Sequence, residues 1–192
     1  MDPRFGHQTY TVRRKVLKLL GGAFHIYDPL GNVAFYSELK AFKLKEDIRL
    51  FGEEAKQTEL LTIKARKILD LSSAYDVADS TTGEKVGVLK RKGLKSVIRD
   101  EWTIMNAQDQ EIGIIQEDSQ LMALIRRFLT NLIPQKYTAT IQNQPVATYQ
   151  QNFNPFVLKI TIDFSPDKGN LYDRRLGIAA AVLLAGIEGR QQ

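Results

Sequence analysis

The chain of 192 residues contains no cysteine, only two histidines and a single tryptophan. Without thiols there is no disulfide, no cysteine nucleophile and no thiolate metal site, and the absence fits a reducing compartment. The histidines are His7, in a segment expected to be loose, and His25, which alternates with Phe24 and Ile26 as an ordinary strand residue would. No HExxH, GxxxxGK[ST], GxGxxG or GxSxG pattern occurs, so metalloprotease, phosphate-loop, dinucleotide and hydrolase-elbow chemistries lack their signatures. Gly21-Gly22 is only a turn element, and the acidic pairs Glu53-Glu54 and Glu117-Asp118 are expected as solvated residues in or near turns. A pair of catalytic carboxylates leaves no fixed spacing in sequence, and nothing here favours one. Neither a metal nor a cofactor is called for. No apolar segment precedes the charges of MDPRFGHQTYTVRRK, so no secretory signal is expected.

Long apolar runs are also lacking. The longest uncharged one, Leu176–Ile187, has twelve residues, about 18 Å of helix against a hydrocarbon core of about 30 Å. Arg174 and Arg175 before it and Glu188 and Arg190 after it would be drawn into lipid if it spanned. A helix apolar on every side yet too short to cross belongs inside a folded protein, with Leu176, Ile178, Val182, Leu183, Leu184 and Ile187 as its core side chains. Its glycines and alanines let strands approach from all directions. The same small residues could pack membrane helices, which keeps a membrane-anchor reading open as the alternative.

What is present in quantity is strand and turn. The composition, 43% apolar and 26% charged, is that of a globular domain. AFHIYDPLGNVAFYSE reads as a hairpin with Asp28, Pro29 and Gly31 in its loop. AYDVADSTTGEKVGVLKRK turns at Asp79–Gly83, EWTIMNAQDQEIGIIQED near Asn106–Gln110, and QKYTATIQNQPVATYQQ near Gln142–Pro145. DIRLFGEEAKQTELLTIKARK adds a fifth, and FVLKITIDF (Phe156–Phe164) is a strand leading to the final helix. Ser119–Ile133 breaks the pattern: Ser119 suits an N-cap and Pro134 ends the stretch, so a helix is expected, covering one end of the sheet or lying at a membrane interface. Ten to twelve antiparallel strands tend to close, and a barrel that wide needs a filler, which the apolar helix supplies. Trp102, in a strand beside Asp100 and Glu101, is read as core rather than as a stacking platform.

Net charge is +5 with a pI near 9.3. Lys85–Arg99 (KVGVLKRKGLKSVIR) holds six basic residues and no acidic one, and Val12–Lys18 (VRRKVLK) adds four. Strand alternation puts Lys90 and Lys92 on one face and Arg91 on the other, unless the turn at Gly93 has begun. Such runs attract phosphates, on lipid or nucleic acid, or simply keep a barrel wall soluble. No helix-turn-helix, zinc-finger spacing or aromatic platform accompanies them, so nucleic acid is not favoured.

The repeated YD-x-x-(D/G) hairpins, the stretch VGVLKRKGLKSVIRDEWTI and the DRRL-type start of the apolar helix together resemble the LURP-one-related proteins. These belong with tubby C-terminal domains and phospholipid scramblases, and the resemblance runs from Tyr10 to Gly189. It implies a mainly β fold, a barrel of about twelve antiparallel strands around a C-terminal helix, over residues 10–190 after a flexible 1–9 segment. It also implies a non-enzymatic binding domain, because tubby domains bind phosphoinositide head groups through a basic face. The cysteine-rich palmitoylation segment of scramblases has no counterpart here. On this reading Lys90, Arg91, Lys92, Lys95 and Arg99 form a lipid- or anion-binding surface. The partner would be an anionic membrane lipid or an acidic protein, with no transmembrane span, and the location cytoplasmic or peripheral at a membrane. The alternatives are a scaffolding barrel that binds a protein partner, or a scramblase-like membrane protein.

Overall fold

The structure, a computed structural model, describes residues 1–15, 22–39, 47–66, 74–92, 101–118, 135–152 and 157–187. Twelve strands follow one another around a closed antiparallel barrel. They are β1 (Thr9–Lys15), β2 (Gly22–Tyr27), β3 (Val33–Leu39), β4 (Ile48–Phe51), β5 (Glu59–Ala65) and β6 (Ala74–Asp79). The other half comprises β7 (Lys85–Arg91), β8 (Glu101–Met105), β9 (Glu111–Glu117), β10 (Lys136–Ile141), β11 (Gln144–Gln151) and β12 (Val157–Asp163). The seam closes where β1 runs against β12 over its whole length, from Thr9 opposite Asp163 to Lys15 opposite Val157.

All five expected hairpins form, and all turn at one rim, because consecutive strands alternate in direction. Side-chain acceptors build the turns. Asp28 Oδ1 accepts from the Leu30 and Asn32 amides, and Asn106 Oδ1 from those of Gln108 and Gln110. Between β10 and β11 the loop is two residues, Gln142 and Asn143, with φ of 50° and 62°, the left-handed pair that a tight hairpin needs.

Inside runs α1 (Arg174–Ile187), packed chiefly against β1, β6, β7 and β12. Leu176, Ile178, Val182, Leu183 and Leu184 are each no more than 3% exposed, as expected of core residues; Ile187 ends the helix, and its side chain lies outside the described residues. The barrel wall closes onto the helix at backbone distance in two places. A Cβ on Gly177 would stand 2.4 Å from the Phe164 ring, and one on Gly87 would meet the Met105 carbonyl at 2.4 Å and Leu176 at 2.6 Å. Among the described residues no helix is long and apolar enough to cross a membrane.

The helix begins with two arginines, which is the wrong sign for a helix N-terminus. Carboxylates offset this. Asp173 accepts from the Arg175 amide at 2.9 Å as the N-cap would, and its side chain also takes the Arg175 guanidinium. Arg175 reaches on to Asp79 at 2.9 Å and Glu84 at 3.3 Å, tying the helix start to the β6–β7 hairpin. Arg174 lies over the Phe164 ring and donates to Asp167, whose buried carboxylate also accepts from the Leu171 and Tyr172 amides. At the other end Arg14, on the inner face of β1, donates to the Ala185 carbonyl at 3.2 Å and so places a cation where the helix needs one.

Residues 1–9, expected as flexible, are instead tied to the barrel by Phe5. It ends a 3-10 turn over Pro3–Phe5, is 1% exposed and packs on Phe35 with ring centroids 4.6 Å apart. Tyr10 fixes the turn from inside, its hydroxyl donating to the Arg4 carbonyl at 2.8 Å. The expected helix over Ser119–Ile133 lies outside the described residues.

Three outcomes follow. Leu183→Arg places a charge where no water reaches, a cost comparable to the whole stability of a domain, about 5–15 kcal/mol, so the variant should be insoluble when expressed and show no cooperative melting. The Asp79–Arg175 pair predicts an acid limb. Burial alone would raise the Asp79 carboxyl; hydrogen bonds from Thr81 and Arg175 outweigh it and hold the group below its ordinary range. Its contribution is therefore full above the ordinary carboxylate pKa of about 4 and is lost as pH falls through the lowered folded value. Urea unfolding from pH 7 down to pH 2 should show wild type losing stability below about pH 4 more steeply than Asp79→Asn. Arg175→Met should cost about 3 kcal/mol at pH 7, since it strands a buried carboxylate.

Candidate functional site

The basic stretch singled out in the sequence occupies β7 and the link to β8, at the rim opposite the hairpin turns. The pairing of Arg91 with Trp102 fixes which way each residue faces. Trp102 is buried in the core beside Tyr75, as read from the sequence, so Arg91 belongs to the inner face. Lys90 pairs with Thr103 and stands on the outer wall, half-exposed, with no carboxylate partner among the described residues. The expected alternation of Lys90 and Arg91 is therefore seen.

Lys92 lies just past the strand, exposed on the outer side. Its amide donates to the Glu101 carbonyl at 3.0 Å, and its ammonium forms an ion pair with the Glu101 carboxylate, which raises the lysine pKa. Gln116 Nε2 donates to the other oxygen of Glu101 at 2.6 Å. At the far end of β7, Lys85 is 2.8 Å from Asp109 and 3.5 Å from Asp76. Arg66 joins both carboxylates, at 2.6 Å to Asp76 and 2.7 Å to Asp109, and lowers the Asp76 pKa chiefly through its hydrogen bonds. The described part of a run without a single acidic residue in sequence thus has Lys85 and Lys92 neutralised by carboxylates from elsewhere in the barrel. Lys95 and Arg99 lie outside the described residues. The neck formed by Lys92 and Glu101 brings together the two ends of the link that carries them.

The second basic run is divided by the wall. Arg13 points outward and is exposed, Arg14 points inward to the helix end, and Lys18 lies outside the described residues. His25 is an outer-face strand residue with Nε2 2.8 Å from Glu54 Oε1. Glu53 and Glu54 sit in the β4–β5 turn as expected, but Glu117 does not behave as a solvated turn residue. It ends β9 on the inner face, opposite Tyr137, and is 3% exposed. Among the described residues no group of three His, Asp or Glu side chains is placed to hold a metal ion.

Comparison with known proteins fits this architecture. A sequence profile described as LURP-one-related matches residues 8–185. An X-ray structure of a protein from Arabidopsis thaliana superposes with a TM-score of 0.53 at 14% identity, covering 97% of this chain and 96% of that one, a likeness of fold. A comparison with curated proteins finds no match.

Proposed function

Because the chain belongs to the LURP-one-related family, whose barrel is a binding scaffold, we propose that it binds anionic phospholipid or phosphoinositide head groups at the β7–β8 rim. Lys90, Arg91, Lys92, Lys95 and Arg99 would supply the charge. The observation that carries this reading is the neck: the Lys92 and Glu101 backbones are hydrogen-bonded, so both ends of an eight-residue basic link meet beside the outer lysine Lys90, which has no carboxylate partner among the described residues. Elsewhere on the wall cations such as Arg49, Lys56 and Lys85 are paired with carboxylates.

The mechanism is electrostatic. Each Lys or Arg near an anionic surface contributes about 1 kcal/mol, and the sum weakens with salt because the screening length falls from about 10 Å at 0.1 M to about 3 Å at 1 M. The residues do not act alike. Arg91 shares the inner face with Trp102, so reversing its charge perturbs the barrel as well as the surface. Lys92 is held by Glu101, which competes with any external anion for the same ammonium.

Flotation with liposomes, neutral against anionic and at low and high salt, tests the reading. Wild type should float only with anionic vesicles and only at low salt. Lys90→Gln, Lys95→Gln and Arg99→Gln combined should lose about 3 kcal/mol of binding without a change in melting temperature. Glu101→Gln, which frees Lys92, should bind anionic vesicles more tightly than wild type. No flotation under any condition removes the lipid reading and directs the search to an acidic protein partner.

A further inference from the structure

A different wall of the barrel carries a second arrangement that the fold does not account for. Along the β12–β1–β2 surface, Lys159 lies directly opposite Arg13, and Arg13 lies directly opposite His25. Two residues further along, Thr161 lies opposite Thr11, and Thr11 opposite Tyr27. All six face outward, since the residues that alternate with them, Tyr10, Val12, Ile26, Leu158, Ile160 and Ile162, are core. The result is a grid of two rows by three strands, with neighbours about 5 Å apart across strands and about 7 Å along them.

Every side chain of this grid can donate a hydrogen bond. Ammonium, guanidinium and imidazole form one row; two threonine hydroxyls and a phenol form the other. Among the described residues, the Lys159 and Arg13 side chains meet no carboxylate, and the Thr161, Thr11 and Tyr27 hydroxyls have no hydrogen-bond partner. The bordering carboxylates are engaged: Asp163 accepts from the Ser165 amide and hydroxyl, and Glu54 holds His25. Like charges directly opposite one another on a sheet are destabilising. On most of this barrel cations are paired instead, as with Arg49 and Glu59, Lys56 and Glu38, or Lys85 and Asp109. The Lys159–Arg13 pair does nothing for the fold that a lysine–glutamate pair would not do better.

We propose that this grid is a site for a phosphomonoester. A carboxylate would be satisfied by the guanidinium fork of Arg13 alone. A terminal phosphate, with close to two negative charges and three acceptor oxygens, matches two adjacent cations with a row of hydroxyl donors beside them. The strands hold these groups without loop ordering. β1 and β7 stand six strands apart in either direction around the twelve-strand ring, so the grid does not share a surface with the Lys90 rim. The two sites stand or fall separately.

The phosphomonoester could be a lipid head group or a free phosphate, and the test separates these sources. The full chain is titrated with inorganic phosphate by calorimetry and floated with vesicles containing phosphatidic acid. Arg13→Gln/Lys159→Gln should weaken binding at least tenfold. Lys64→Gln/Lys168→Gln, which removes the same charge from exposed positions elsewhere, should stay within twofold of wild type. The vesicle arm is read in the Lys90→Gln, Lys95→Gln, Arg99→Gln background, which removes the rim's own attraction for anionic lipid, and this variant should keep wild-type binding of inorganic phosphate. The melting temperature of Arg13→Gln/Lys159→Gln should not fall, because a like-charge pair has been removed. Response to inorganic phosphate assigns a soluble ligand; response to the vesicles alone assigns a lipid. Absence of binding to both probes by wild type, or equal losses in the two double variants, overturns the proposal.

Discussion

A closed sheet of twelve strands is roughly 20 Å across at the backbone, wider than its own inward side chains can fill, so everything else depends on what occupies the middle. Here it is a helix with no polar face. That choice constrains both partners. The helix must be narrow where the wall comes close, hence Gly177 under the Phe164 ring and the run of three alanines from Ala179 to Ala181. The wall must yield where the helix is wide, hence Gly87 beneath Leu176. Neither sequence feature has a reason to exist without the other.

A helix buried along its length can meet polar groups only at its ends, and this one solves its ends from the barrel. The four carboxylates around Arg174 and Arg175 come from the β6–β7 hairpin, the loop after β12 and the residue before the helix. They turn an unfavourable N-terminal charge into a set of ties between helix and rim. Arg14, from the first strand, supplies the opposite end. The first and last strands, the middle hairpin and the helix are therefore coupled through charge as well as through apolar packing. This coupling places Asp79 among the buried groups whose protonation the fold opposes.

Those same ties show where sequence reading succeeds and where it stops. Hairpins were legible because turn chemistry is local: Asp28 and Asn106 bond amides two and four residues away. The filler helix was legible because a short apolar run with arginines at its head is short for a membrane span and has no polar face to turn to water. Charge was not legible in the same way. Lys85 and Lys92 stand in a run without acids, yet Asp76 and Glu101 of other strands and Asp109 of the β8–β9 turn neutralise them. The contact of Phe5 was not legible for a similar reason, since its partner Phe35 is thirty residues away in the chain. The Lys159–Arg13 opposition, between positions at the two ends of the sequence, appears only once the barrel closes.

Two basic features on opposite walls also limit what one barrel can do at a membrane. A plane can touch one wall at a time, and across roughly 20 Å or more the field of one patch is screened from the other by salt, with a Debye length of about 8 Å at physiological strength. The two cannot reinforce each other as a single lipid-reading face. Were both proposals to hold, either the β7–β8 rim would meet the membrane and the β12–β1–β2 grid would take its phosphate from solution or from a second surface, or the roles would be exchanged. The rim is where the two ends of the β7–β8 link meet at the Lys92–Glu101 neck. The grid is mid-sheet, with sparse charges in fixed positions. Diffuse attraction to a charged surface suits the first, and recognition of one discrete phosphate suits the second.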